Sequence, residues 1–162
     1  IPAGAPARQH AEPSRAAGRI PNEFVPDKEM QFFAAYAGAA LAFVILDAIW
    51  LGTVAKSFYF TQLAGLLRDK PDLGVAAVFY VIYIAGIVYF AVTPALHGGG
   101  MTKALMNGAL LGFLAYATYD ATNLATLKGY PAAVAVVDVV WGTFLTGTAA
   151  AAGYLAASRL VG

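Results

Sequence analysis

Residues 32–54 read FFAAYAGAALAFVILDAIWLGTV, and Asp47 is the one charged residue among them. A helix crosses the apolar core of a bilayer with about 20 such residues, at about 1.5 Å of rise each. The stretch therefore predicts a transmembrane helix. The rest of the chain agrees: 60% of its 162 residues are hydrophobic and 12% charged, where about a quarter are charged in soluble domains.

Three further apolar stretches follow. Pro71 sets the start of the second, about Leu73 to Val92, and Thr93-Pro94 with the glycines Gly98 to Gly100 reads as its breaker. The third, about 102–126, carries Gly108-Ala-Leu-Leu-Gly112, a small-xxx-small pattern that lets another helix approach closely. Lys128-Gly129-Tyr130-Pro131 ends it. The fourth, about 133–157, gathers Gly142, Thr143, Thr146, Gly147 and Ala150 near one face and reads as a central packing helix. Between the first two, Lys56–Lys70 (KSFYFTQLAGLLRDK) spaces apolar residues at i, i+3 and i+4 with a basic residue at each end, the pattern of a short helix lying along the interface.

Upstream, residues 1–29 hold five of the eight prolines and no apolar periodicity. Such a segment buries too little surface to offset its ordering entropy, and it lacks the apolar core of a signal peptide. Two readings stay open: non-native sequence upstream of Met30, or a docking arm laid over the protein's own loops or over a partner subunit. The expected fold is all-α, a four-transmembrane-helix bundle over 30–162 with a short interfacial helix after the first span and an extended Pro-rich arm over 1–29.

The functional signal lies in three acids. Asp47 and Asp138 each precede a tryptophan by three residues, Trp50 and Trp141. On a third helix Tyr116, Asp120 and Asn123 fall at i, i+4 and i+7, a single polar stripe. Counting along four alternating spans places all three acids roughly 9 to 11 Å inside the membrane from the side of the Lys56–Lys70 loop. Tyr80, Tyr83 and Tyr119 fall within about two turns of that layer. The candidate binding set is thus Asp47, Trp50, Tyr80, Tyr83, Tyr116, Tyr119, Asp120, Asn123, Asp138 and Trp141. Asp47-Ala48-x-x-Leu51-x-Thr53 also matches Asp120-Ala121-x-x-Leu124-x-Thr126, a trace of duplication.

The six basic residues after the arm lie at or beyond the span ends, so none neutralises the acids inside. An ionised, unpaired acid at that depth costs several kcal/mol. The acids must be protonated, hydrogen-bonded or neutralised by a cation. Three uses follow: polar glue between helices, a pocket for a small amphipathic molecule or lipid whose cationic head is met by aromatic rings, or a proton relay. An accessory subunit of a larger membrane complex, docked by the arm, is the alternative. Membrane lipids, a homodimer or a larger complex are the expected partners.

Other classes are set aside. The Lys and Arg residues form no basic run, which excludes nucleic acid as a partner. There is no cysteine, and His97 sits in a glycine-rich loop, so no metal ligand is assigned. Pro94-Ala95-Leu96 and Tyr119-Asp120 match short motifs of intramembrane aspartyl proteases in the wrong order, without the Gly-x-Gly-Asp that should follow. The acids are too dispersed for a metal-dependent lipid phosphotransferase. No catalytic residue is assigned, the enzyme class is disfavoured, and no cofactor is indicated. Lys and Arg in short loops favour the cytoplasm, which sets the acidic layer in the cytoplasmic half with both termini outside.

The strings LDAIWLG (46–52), FYVIYIAGIVYFAV (79–92), YATYDATNLATLKGYP (116–131) and VDVVWGT (137–143) resemble a bacterial family of small predicted membrane proteins known as a domain of unknown function (2177). The resemblance covers about Met30 to Gly162, with Tyr130 where the family more usually has tryptophan. It implies an integral protein of the bacterial inner membrane with four spans, and no activity or substrate.

Overall fold

The computed structural model of the chain describes residues 28–159, apart from the side chains of Val54 and Ala55. Helix α1 (Lys28–Ile49) runs through a wide π-helical turn, Trp50–Val54, into α2 (Ala55–Gln62). Helix α3 (Leu73–Ile87) passes through a second π turn, Val88–Val92, into α4 (Thr93–Leu96). Two long helices complete the bundle, α5 (Gly100–Thr126) and α6 (Ala132–Ser158). No strand occurs among the described residues. The fold is the expected all-α bundle, in which each span satisfies its own backbone hydrogen bonds as a hydrocarbon solvent demands.

Three stretches are long and apolar enough to cross a membrane, Lys28–Thr53, Leu73–Leu96 and Ala132–Ser158. Helix α5 equals α6 in length, at 27 residues each. It is less apolar because Thr102, Lys103, Asn107, Thr118, Asp120, Thr122, Asn123 and Thr126 interrupt it. It makes the most extensive packing in the molecule, against α6.

That packing follows from small residues in rows. The buried residues of α1 are Ala35, Ala39, Phe43 and Asp47, and those of α5 are Ala104, Gly108, Gly112 and Asp120, so both helices present an i+4 ridge. Both ridges lie on α6, whose buried residues face more than one side, as a central helix requires. A Cβ at Gly112 would stand 2.3 Å from the Gly142 carbonyl oxygen, and one at Gly108 2.8 Å from that of Thr146. On the α1 side a Cβ at Gly38 would stand 2.9 Å from the Ala152 carbonyl. Glycine at these positions sets the interhelical distance. Asp47 and Asp120 are each the last buried residue of their ridge. Thr53 and Thr126 each return a hydroxyl to the carbonyl four residues back, at 2.5 and 2.7 Å.

Two boundaries differ from the expected ones. The interfacial helix stops at Gln62, and residues 63–70 form turns, because the chain reverses at Gly65 with φ of 88°. Pro94 does not break the second span; the helix continues to Leu96 and ends at the glycine turn. Proline in a helix removes one amide and obstructs the carbonyl four residues back, here that of Phe90. The π turn at Val88–Val92 re-routes the backbone there, and the Phe90 oxygen accepts from Asn107 Nδ2 of α5 at 3.4 Å. Asp72 caps α3, its Oδ1 accepting from the amides of Gly74 and Val75 at 3.1 and 3.2 Å. The arm, apart from Lys28 and Glu29, lies outside the described residues.

Candidate functional site

Asp47 is the last member of the α1 ridge and as a residue is 8% exposed within the bundle. The Tyr80 hydroxyl of α3 donates to its Oδ2, and Trp141 Nε1 of α6 donates to its Oδ1 at 3.4 Å. One turn earlier on α1, buried Phe43 meets the rings of Tyr80 and Tyr83 edge-on, with centroids 5.3 and 5.7 Å away. Those contacts fix the tilt of both phenols. The Tyr83 hydroxyl pairs with Thr146 Oγ1 at 3.0 Å. Trp50 opens the wide turn after α1, and its indole stacks on that of Trp141.

Tyr116 sits in the middle of this layer. Its ring lies where a Cβ of Gly142 would be, with Cδ2 2.1 Å from that position. The missing side chain on α6 is what admits a phenol between the helices. Tyr116 is within electrostatic reach of Asp47, Tyr83, Tyr80 and Asp120.

Each of the other two acids has a tyrosine of its own. Asp138 of α6 accepts from the Tyr59 hydroxyl of α2. Asp120 of α5, 1% exposed, accepts at Oδ1 from the Tyr130 hydroxyl at 2.8 Å, and its Oδ2 is buried with no partner. Trp50 Nε1 is likewise buried and unpaired. Asn123 lies beside the Tyr130 hydroxyl. Tyr130 belongs to the loop between α5 and α6, where burial, then the bond to Asp120, pushes its phenol up to about 12.

The electrostatics are one-sided. The ion pair found among the described residues is Arg68 with Asp72 at 3.9 Å, outside the bundle, so none of the three acids meets a basic side chain. Nor do they converge as a cage: no group of three His, Cys, Asp or Glu able to hold a metal occurs among the described residues. The arrangement is three separate acid–tyrosine pairs spread across the bundle, with the stacked indoles beside the Asp47 pair.

Beside the layer, a cavity of about 410 Å³ opens between α3 and α5, lined by Phe79, Tyr83, Ala115, Tyr116 and Tyr119. Tyr119 forms its lip and is 62% exposed. On its α3 wall the Phe79 and Tyr83 rings stack one turn apart, with centroids 5.2 Å from each other.

A family described as predicted membrane protein (DUF2177) matches residues 32–155. The chain belongs to that family. No curated protein and no solved structure matches it. For this DUF2177 member, the geometry gathers Asp47, Trp50, Tyr80, Trp141 and Tyr116 into contact or near-contact, and ties Tyr83 to them through Phe43. Asp120 with Asn123 forms a second group, Asp138 a third, and Tyr119 stands apart at the cavity mouth.

Three partners escaped the sequence reading, Tyr59, Tyr130 and Thr146. Tyr59 lies in a segment that reads as interfacial, yet α2 continues directly from α1, and the count that sets Asp138 near that membrane face would have marked Tyr59 as its neighbour. Tyr130 lies just beyond the third span, one helical stretch from Asp120. Nothing in the spacing distinguishes Thr146 from the other small residues of α6.

Proposed function

We propose that this membrane protein holds a small amphipathic molecule with a cationic amine head, the head among the aromatic rings at the α3–α5 cavity and the tail toward lipid. What supports the reading is one observation: an aromatic-lined opening that includes Tyr116, itself within electrostatic reach of Asp47 and Asp120, with no basic side chain among the described residues paired to any of the acids. A cation over tyrosine and phenylalanine faces gains about 0.5–2 kcal/mol, more when desolvated. The negative potential of the carboxylates adds to it, and an anionic head would be repelled. The inner membrane of a bacterium, with the acidic layer in the cytoplasmic half, is the setting we assign.

A proton relay uses the same pairs, since each tyrosine hydroxyl joins a carboxylate. We favour ligand binding because the cavity gives access from the lipid side, whereas the hydrogen bonds form separate pairs rather than a continuous chain. The accessory-subunit reading rests on the 1–29 arm, which lies outside the described residues.

Native mass spectrometry of the membrane-extracted protein tests the proposal. A retained small amine-bearing amphiphile, lost from Tyr116→Leu, is expected. A bare chain contradicts it, and co-purification with other polypeptides in place of a small molecule favours the subunit reading.

A further inference from the structure

A second cavity, of about 540 Å³, is formed between α2 and the turns that follow it, with Tyr59 in its wall. Its wall is mostly apolar, Leu51, Phe60, Leu63, Leu66 and Leu67 among it, and two cationic side chains, Lys56 and Arg68, also line it. Lys56 comes from the helix and Arg68 from the turns beyond Gly65, so the reversal of the chain brings two charges to one cavity. Helix α2 continues from the end of the first membrane-crossing stretch. The cavity therefore lies at the level where acyl chains give way to headgroups.

We infer that this cavity binds one anionic phospholipid of the surrounding leaflet, its phosphate between Lys56 and Arg68 and its upper acyl chain along Leu51, Phe60 and Leu67. The charges present are complementary to such a head. Arg68 touches one acid, Asp72, at 3.9 Å with both side chains exposed. The other Asp72 oxygen is already engaged in capping α3. A guanidinium has five N–H donors, so a single long contact leaves an edge for phosphate. Lys56 has no ion pair among the described residues, and the loop's remaining charges, Asp69 and Lys70, cancel. The apolar wall explains why the occupant is a lipid rather than a free anion: Phe60 and Leu66 are 61% and 54% exposed in a part of the chain that is not a span, and an acyl chain covers them. The site is independent of the cation-binding layer, with which it shares only Tyr59, whose ring lines the cavity and whose hydroxyl bonds Asp138.

The test uses the full chain in neutral detergent, stripped of lipid and titrated in native mass spectrometry with phosphatidylglycerol and the uncharged diacylglycerol of identical acyl chains. Each basic residue near an anionic head contributes about fivefold in affinity. The protein is expected to prefer phosphatidylglycerol by at least about fivefold, and the double variant Lys56→Gln/Arg68→Gln to lose the preference while keeping its melting temperature, because both residues are exposed. A second variant, Leu67→Ser, is expected to weaken both lipids alike. Equal binding of the two lipids by the unaltered protein, a preference that survives the double substitution, or displacement of the lipid by millimolar inorganic phosphate overturns the inference.

Discussion

The indole of Trp50 lies flat on the indole of Trp141, with ring centroids 4.3 Å apart and planes 9° from parallel. These are the two tryptophans of the chain, so any indole signal comes from the acidic layer. Stacked indoles couple their transitions, and a two-signed exciton band is expected in the circular dichroism spectrum. Trp141→Phe should abolish the band, keep the helix content and, by removing an indole donor from Asp47, cost about 1 kcal/mol of stability. A spectrum unchanged by that substitution means the two rings do not stack.

Gly112 is expected to be among the least tolerant positions. A Cβ there meets a backbone carbonyl at 2.3 Å and Thr146 at 2.7 Å, neither of which can move without parting α5 from α6. Overpacking of this kind costs about 1–3 kcal/mol, so Gly112→Ala should lower the melting temperature in detergent. Gly86→Ala is the control: nothing lies within 4 Å of its Cβ, and alanine in a helix gains roughly 0.5–1 kcal/mol over glycine. Equal melting temperatures for the two variants would show that α5 and α6 do not pack at the distance described.

Tyr130 gives a pH signature. Its phenol is raised to about 12, by burial first and then by the bond to Asp120, from an unfolded value of about 10. A raised group contributes stability that is complete below the unfolded value and lost as pH climbs through the folded one. The Tyr130 contribution should therefore hold to about pH 10 and fade toward pH 12. Tyr130→Phe leaves the buried Asp120 without a donor and should cost about 1–3 kcal/mol near neutrality. The gap in melting temperature between the two proteins is expected to close above about pH 10. A gap that stays constant to pH 11.5 would show that the Tyr130 proton is not what holds Asp120.

Much of the fold was legible because a bilayer leaves few alternatives. Long apolar stretches announce α1, α3 and α6, and Gly108 with Gly112 announces a close helix contact. The course of the second span was hidden because Pro94 ordinarily stops a helix; here a π turn and a donor from Asn107, distant in sequence, accommodate it. At the site, the acids announce themselves by their rarity in apolar surroundings. Their partners do not. Tyr80 was found because it shares the layer, whereas Tyr59 and Tyr130 reach in from outside the spans, and no periodicity within a span records what its flanking loop folds back upon.

The most direct test of the proposed cation binding is a titration of the protein, in neutral detergent, with dodecyltrimethylammonium, followed by the fluorescence of Trp50 and Trp141. The uncharged dodecyl maltoside serves as the reference amphiphile. Charged partners of a desolvated cation contribute about 1.5–3 kcal/mol each, so Asp47→Asn should weaken the response about 10- to 100-fold. Asparagine keeps the shape and can still accept from Tyr80, so the fold should survive. The account predicts saturable quenching by the ammonium amphiphile alone, lost in Asp47→Asn at an unchanged melting temperature. Equal responses to the charged and uncharged amphiphiles, or an Asp47→Asn protein that binds as well as the original and is only less stable, would contradict it and leave Asp47 as a residue that joins helices.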